Sequence, residues 1–115
     1  MNKVVLIGRL GKDANTKLTP KGTVVSRLRV ATNEKRGEEK VVMWHNVVMF
    51  NRAKLAQYCY KGRLMFIEGR LTYSSNNIPY ILAEKVRFLD SPKEPKEKAL
   101  SDLPDILPEE ITEPF

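Results

Sequence analysis

One cysteine, one histidine and one tryptophan are spread over 115 residues, and each scarcity removes a class of chemistry. A lone Cys59 rules out an intramolecular disulfide and fits a reducing compartment. With His45 the only imidazole, no His and Cys set is present to ligate zinc, and no glycine-rich phosphate loop occurs. Neither a metal nor a cofactor is therefore expected. No stretch approaches the roughly 18 unbroken apolar residues of a membrane helix. The opening apolar segment, Val4 to Leu10, is interrupted by Gly8 and Arg9 and is too short and polar for a signal-peptide core. Carboxylates up to residue 90 are few and dispersed (Asp13, Glu34, Glu38, Glu39, Glu68, Glu84, Asp90), so no catalytic constellation is visible. The expectation is a non-enzymatic cytoplasmic protein without a membrane association.

What is present is charge, unevenly placed. Residues 1–91 hold 17 Lys and Arg against 7 Asp and Glu, a net +10, while residues 92–115 hold 3 against 7, a net −4. A body this basic attracts polyanions, and its end segment does the reverse. Composition alone leaves two readings open, a nucleic-acid partner and a charge that serves solubility.

Five segments read as strands: Asn2–Leu10, Thr23–Thr32, Lys40–Phe50, Arg63–Tyr73 and Ile78–Leu89, all rich in β-branched or apolar residues. Between the first two, residues 11–22 read as a polar connection with a turn at Pro20-Lys21-Gly22, and residues 33–39 as a charged loop. One short helix is expected from Arg52 to Lys61, with Asn51 as its N-cap and Gly62 as its stop. Five strands with a helix between the third and fourth is the order of an OB-fold, an all-β, partly open five-stranded barrel. The barrel domain is expected to span residues 1–90 and a short charged linker with an acidic tail residues 91–115.

Period-two alternation assigns the faces. In the third strand Val41, Met43, His45, Val47 and Met49 share the interior side, leaving Trp44 and Phe50 on one outer line with Val42, Asn46 and Val48. In the second, Ser26, Leu28 and Val30 point inward, which puts Arg27 and Arg29 outside. Flat rings interleaved with cations suit single-stranded nucleic acid, whose bases stack while its phosphates follow the positive charge. The same spacing equally fits Trp44 and Phe50 filling a second core layer. In the first and fourth strands Val5, Ile7, Leu64 and Phe66 make the outer face apolar too, beside Glu68. A barrel wall apolar on both sides needs a second cover, supplied by self-association or by the helix and loops. His45, on the interior side or near a subunit contact, fits a hydrogen-bonded structural role, and Cys59 a small packing group.

NKVVLIGRLGKD, the LRVATNE end of the second strand, WHNVVMFNRAKLAQYCYKG and the later FIEGRL together resemble the bacterial single-stranded DNA-binding protein family over nearly all of residues 1–90. The resemblance implies an OB-fold homotetramer that coats single-stranded DNA in replication, recombination and repair, associated with the nucleoid. By position it implies base stacking by Trp44 and Phe50, cations near the DNA path at Lys3, Lys17, Arg52 and Lys61, and a subunit contact at Phe66 and Glu68, with Val5, Ile7 and His45 assigned to the same contact. Three departures from the family pattern stand out. The NEKRGEEK loop carries no aromatic residue. The last hairpin is only SSNN, flanked by Tyr73 and Tyr80, so Tyr73 joins the DNA-binding candidates. The linker Ser91–Ala99 is short and charged.

The acidic end segment fits this family's habit of docking replication and repair proteins through a tail that closes on Pro and Phe. Asp105, Glu109, Glu110, Ile111, Glu113, Pro114 and Phe115 are the docking candidates, although Glu113 stands where the family usually has an apolar residue. A terminal ring with a free carboxylate offers a partner both a pocket filler and a charge. Seven acids, three bases and five prolines in the last 24 residues cannot build a core, so disorder is expected there. By itself that composition also fits a merely solubilising end. Two other roles remain on residues alone: a primosome-type accessory factor, which lacks such an ending, and a scaffold that binds only proteins.

Overall fold

Alternating β-branched and polar residues yield six strands and one helical turn in the computed structural model, which describes residues 1–91. In chain order they are β1 (Val4–Leu10), β2 (Asn15–Leu18), β3 (Val24–Arg36), β4 (Glu39–Phe50), α1 (Ala53–Ala56), β5 (Leu64–Tyr73) and β6 (Pro79–Phe88). The sheet runs β1-β5-β6-β4-β3-β2 and closes on itself where β1 returns to β3, at Arg9↔Ala31 and Leu10↔Val30. Neighbours are antiparallel except β4 and β6, which pair in parallel at Val47↔Ile81 and Val48↔Leu82. Five long strands thus form a closed OB barrel, and β2 extends the free part of β3's edge.

Closure depends on a missing side chain. A Cβ on Gly8 would stand 2.3 Å from the Ala31 carbonyl oxygen, so only glycine lets β1 cross so close to β3. The barrel interior collects Leu10, Leu28, Val30, Val47, Met49, Met65, Ile67, Ile81 and Ala83 with Ala56 and Cys59 from the helical segment. Among them are Leu28 and Val30 of β3 and Val47 and Met49 of β4, which were expected to point inward. Burial pushes the Cys59 thiol up to about 12 against the opposing pull of the Arg63 charge, which leaves it an unreactive packing group.

One end of the barrel is fastened by a buried cation. The Arg63 side chain is 2% exposed, with its guanidinium carbon 3.9 Å from the Phe88 ring centre and 5.3 Å from that of Tyr60. Its Nε donates to Asp90 Oδ1 at 2.8 Å and its Nη1 to the Tyr58 carbonyl at 3.0 Å, while Asp90 Oδ2 accepts the Leu64 N–H at 3.1 Å. Asp90 is therefore the stitch that holds the end of β6 against the start of β5. Burial works to raise its pKa, but the Leu64 N–H and the Arg63 donor and charge outweigh it and hold the carboxyl below its usual range.

Five expectations need correction. Residues 11–22 are not all connection, because Asn15–Leu18 pairs with Val24–Arg27 as β2. The charged loop 33–39 is a two-stranded ribbon in which Asn33 to Arg36 pair with Glu39 to Val42 around Gly37 and Glu38. On this ribbon, beyond the barrel, Met43 is exposed rather than interior and Val41 only half-buried. The helix is a single turn, Ala53–Ala56, after which Tyr58 and Cys59 make short turns back to Leu55 and Ala56. Asn51 is not its cap: it takes φ 56°, its side chain accepts the Val24 N–H at 3.1 Å, and the cap position falls on Arg52. Among the described residues no helix is long and apolar enough to cross a membrane.

Candidate nucleic-acid interface

The outer face of β2, β3 and β4 carries the cations. Register sets Lys17 beside Val25 and Phe50, Asn15 beside Arg27 and Val48, Arg29 beside Asn46, and Ala31 beside Trp44. None of these outward positions is acidic, so the positive charge of the face is not neutralised within it. Trp44 is 48% exposed, and the Arg29 guanidinium stands over its ring, 5.9 Å from the centroid. Arg29 is steadied by a hydrogen bond to Asn46 Oδ1.

The floor under Trp44 comes from the loop after β1. The Gly11 N–H donates to the Arg29 carbonyl at 2.9 Å, and a Cβ there would stand 2.3 Å from Trp44 Cζ3. Gly11, Lys12, Arg29 and Trp44 enclose a hollow of about 290 Å³ that is open to solvent. A second hollow of about 130 Å³ adjoins it, lined by Lys12, Asn15, Arg27, Leu28 and Arg29.

The two readings of Trp44 and Phe50 divide between the residues. Trp44 is open, whereas Phe50 is half-buried and packs with Tyr80 against Val25 and Val48, both at most 1% exposed, in a second small core outside the barrel. Stacking is thus open to a free Trp44 ring, while Phe50 presents only the part its neighbours leave bare.

Other candidates fall elsewhere. Lys3 lies on the β1–β5 wall, 3.4 Å from Glu68, and not on the β3–β4 face. Arg52 donates to the Glu84 carbonyl at 2.5 Å. Lys61 follows the helical segment, its backbone N–H held by Asp13 Oδ1 at 2.8 Å. Tyr73, 57% exposed, sits at the far end of β5 opposite Pro79. His45 bonds through Nε2 to Thr32 Oγ1 at 2.8 Å, and burial followed by the Arg29 charge lowers its pKa below the ordinary imidazole value. Val5 and Ile7 are 52% and 57% exposed, with Phe66 beside Ile7 and Glu68 beside Val5. The tail candidates Asp105, Glu109, Glu110, Ile111, Glu113, Pro114 and Phe115 lie outside the described residues. Sequence reasoning passed over Gly11 and Lys12, although a Gly-Lys pair directly after an apolar strand was a signal for a close-packed, cation-bearing turn. No group of three or more His, Cys, Asp or Glu side chains among the described residues could hold a metal.

A closed five-stranded barrel with one helical turn and a cationic, aromatic outer face defines an OB-fold protein of the nucleic-acid-binding type. Residues 1–88 match the Single-strand binding protein family, and the chain belongs to it. Single-stranded DNA-binding proteins of Neisseria meningitidis serogroup A and serogroup B are each 42% identical over 78 residues, a match that covers 62% of this chain and 45% of theirs. The match therefore spans less than half the length of these relatives. Among solved structures, the Plasmodium falciparum SSB in complex with single-stranded DNA superposes with a TM-score of 0.67 at 29% identity, covering 78% of this chain and 96% of that one.

Proposed function

We propose that this chain binds single-stranded DNA without strong sequence preference, with no catalytic activity of its own. The observation that carries the reading is a half-exposed Trp44 standing beside Arg29 on a face with no acidic residue, in a member of the single-strand binding family. Bases of any identity stack on such a ring, and phosphates follow Arg29, Arg27 and Lys17, with Phe50 adding a partly covered second ring. Lys3, Arg52, Lys61 and Tyr73 would extend the path of the strand around the barrel. Coating of exposed strands in replication, recombination and repair follows from sequence-tolerant binding, in the cytoplasm at the nucleoid.

Two further parts complete the reading. The apolar outer wall of β1 and β5, with Val5, Ile7 and Phe66 around the Lys3–Glu68 pair, supports assembly into a homotetramer, to which His45 would contribute from β4. Residues 1–90 are the DNA-binding domain, and residues 91–115 the linker and acidic segment whose Pro114-Phe115 ending docks replication and repair proteins. Titration of Trp44 fluorescence with a thymine oligomer tests the core of this proposal. Quenching that weakens as salt rises is expected, and a signal indifferent to the oligomer at low salt refutes it.

A further inference from the structure

The ribbon that β3 and β4 build beyond the barrel has two edges of opposite character. The β3 edge is guarded: β2 and β1 pair with it as far as Ala31, and what remains, residues 32–36, is polar, with Glu34 and Arg36 joined at 3.2 Å. The β4 edge is open. β6 pairs with β4 only at Val47 and Val48, and among the described residues no strand pairs with the outer edge of residues 39–46. That edge carries the run Val41-Val42-Met43-Trp44, in which Val42 is 50%, Met43 37% and Trp44 48% exposed. Proteins ordinarily blunt a free edge with charge, proline or a bulge, and none of these interrupts the run.

An open strand is completed by another extended strand, and β4 itself fits. Two copies of one strand, paired antiparallel about a two-fold axis, oppose a residue to itself at the centre. With Val42 at the centre, Val42 meets Val42, Val41 meets Met43, Lys40 meets Trp44 and Glu39 meets His45. Apolar side chains then face apolar ones, a cation comes to a ring, and an acid to an imidazole. Centring on Val41 instead sets Glu39 against Met43 and Lys40 against Val42. Centring on Met43 sets Glu39 against Val47, whose outer edge β6 already occupies. Val42 is the axis that satisfies both charge and apolar contact.

We propose that the outer edge of β4 is a self-association surface, on which a second copy of this chain adds its own β4 antiparallel about Val42. The contact goes beyond the homotetramer reading: it lies off the β1–β5 wall, shares only His45 with that assembly, and joins one particle to the next. By the strand period both Trp44 rings stand on the same side of the joined sheet, so the cationic, aromatic face continues from one copy into the next.

Oxidative cross-linking of the full chain tests it against a silent background, because Cys59 is buried and its thiol pushed up to about 12. In this pairing the two Val42 Cα atoms stand about 4.5–5.5 Å apart, within disulfide reach. The two Met43 Cα atoms are out of step along the strands and about 8 Å apart, beyond the roughly 7 Å limit. Under mild oxidation Val42→Cys should give a disulfide-linked dimer on a non-reducing gel, while Met43→Cys, also at an exposed position, stays unlinked. The link should persist when Ile7→Glu is added to Val42→Cys. Linking of Met43→Cys as strong as that of Val42→Cys overturns the pairing, and so does no linking in either. Loss of the link on adding Ile7→Glu places the contact inside the wall assembly and overturns a separate surface. A link that persists while Ile7→Glu alone leaves the particle mass unaltered sinks the wall reading and leaves this one standing. Should Val42→Cys not fold, Val42→Lys replaces it: like charges meet on the axis, so light scattering should show smaller particles than wild type, and an unchanged mass overturns the proposal.

Discussion

Replacing Gly11 by alanine adds one methyl group where the first loop meets the tryptophan. That carbon would stand 2.3 Å from Trp44 Cζ3 and 2.6 Å from Cη2, whereas carbon atoms settle at about 3.5 Å or more. The ring edge must retreat by about 1 Å. The backbone tolerates the change, because Gly11 is not among the positive-φ glycines and its N–H bond to the Arg29 carbonyl is kept. Trp44 is 48% exposed and can yield outward by turning off its rotamer, at about 0.5–1.5 kcal/mol. The melting temperature should fall by no more than about 12 °C on the scale of roughly 4–8 °C per kcal/mol for a small domain. Binding should suffer separately, since the displaced ring leaves Arg29 and narrows the hollow it borders. Losing about 1 kcal/mol of a stacking term of about 1–3 kcal/mol weakens binding about fivefold. Thermal melts paired with fluorescence titration by a thymine oligomer measure both quantities. Unaltered affinity together with unaltered tryptophan emission would refute the view that Gly11 positions the ring. A stability loss above about 3 kcal/mol would instead make that ring edge part of the core.

Trp44→Ala and Phe50→Ala should separate binding from folding: the first costs about 1–3 kcal/mol of DNA affinity with little change in melting, while the second also lowers stability by about 2 kcal/mol because Phe50 packs on Val25 and Val48. Equal melting temperatures for the two would contradict the second core. Asp90→Asn leaves the buried Arg63 without its counter-charge and should destabilise the barrel by on the order of 2 kcal/mol at neutral pH. Because the folded carboxyl is held below its unfolded value of about 3.9, the wild-type advantage is full above that value and disappears as pH falls through the folded pKa. A wild-type advantage that does not shrink in chemical melts as pH is taken down through the carboxylate range would count against the assignment. Ile7→Glu puts a charge on the exposed β1 wall, and light scattering should then show smaller particles than wild type; an unchanged mass would remove that wall from the subunit contact.

The barrel strands were legible because burial on one side imposes alternation: Ser26, Leu28, Val30, Val47, Met49, Met65 and Ile67 all point inward as their spacing says. Where no burial acts, the signal vanishes. Asn15–Leu18 is a polar strand on β3's edge, and the ribbon of β3 and β4 beyond the barrel has solvent on both sides. The helix was read too long because helix-compatible residues continue to Lys61, whereas the chain needs only one turn to seat Ala56 and then Cys59 in the core. At the site, alternation found the outer row of Arg27, Arg29, Trp44 and Phe50 but could not divide open from covered. Phe50 and Tyr80, the latter from a strand 30 residues further along, pack against Val25 and Val48 in a second core that alternation does not reveal. Lys12 escaped notice because a loop residue has no period.

The Arg63–Asp90 fastening lies one residue short of the last described position, Ser91. Whatever grips the downstream chain therefore tugs on a cleat: the load passes into Arg63 and the Leu64 amide before it can peel β6. An enzyme hauling on that end would move the whole barrel rather than fray it.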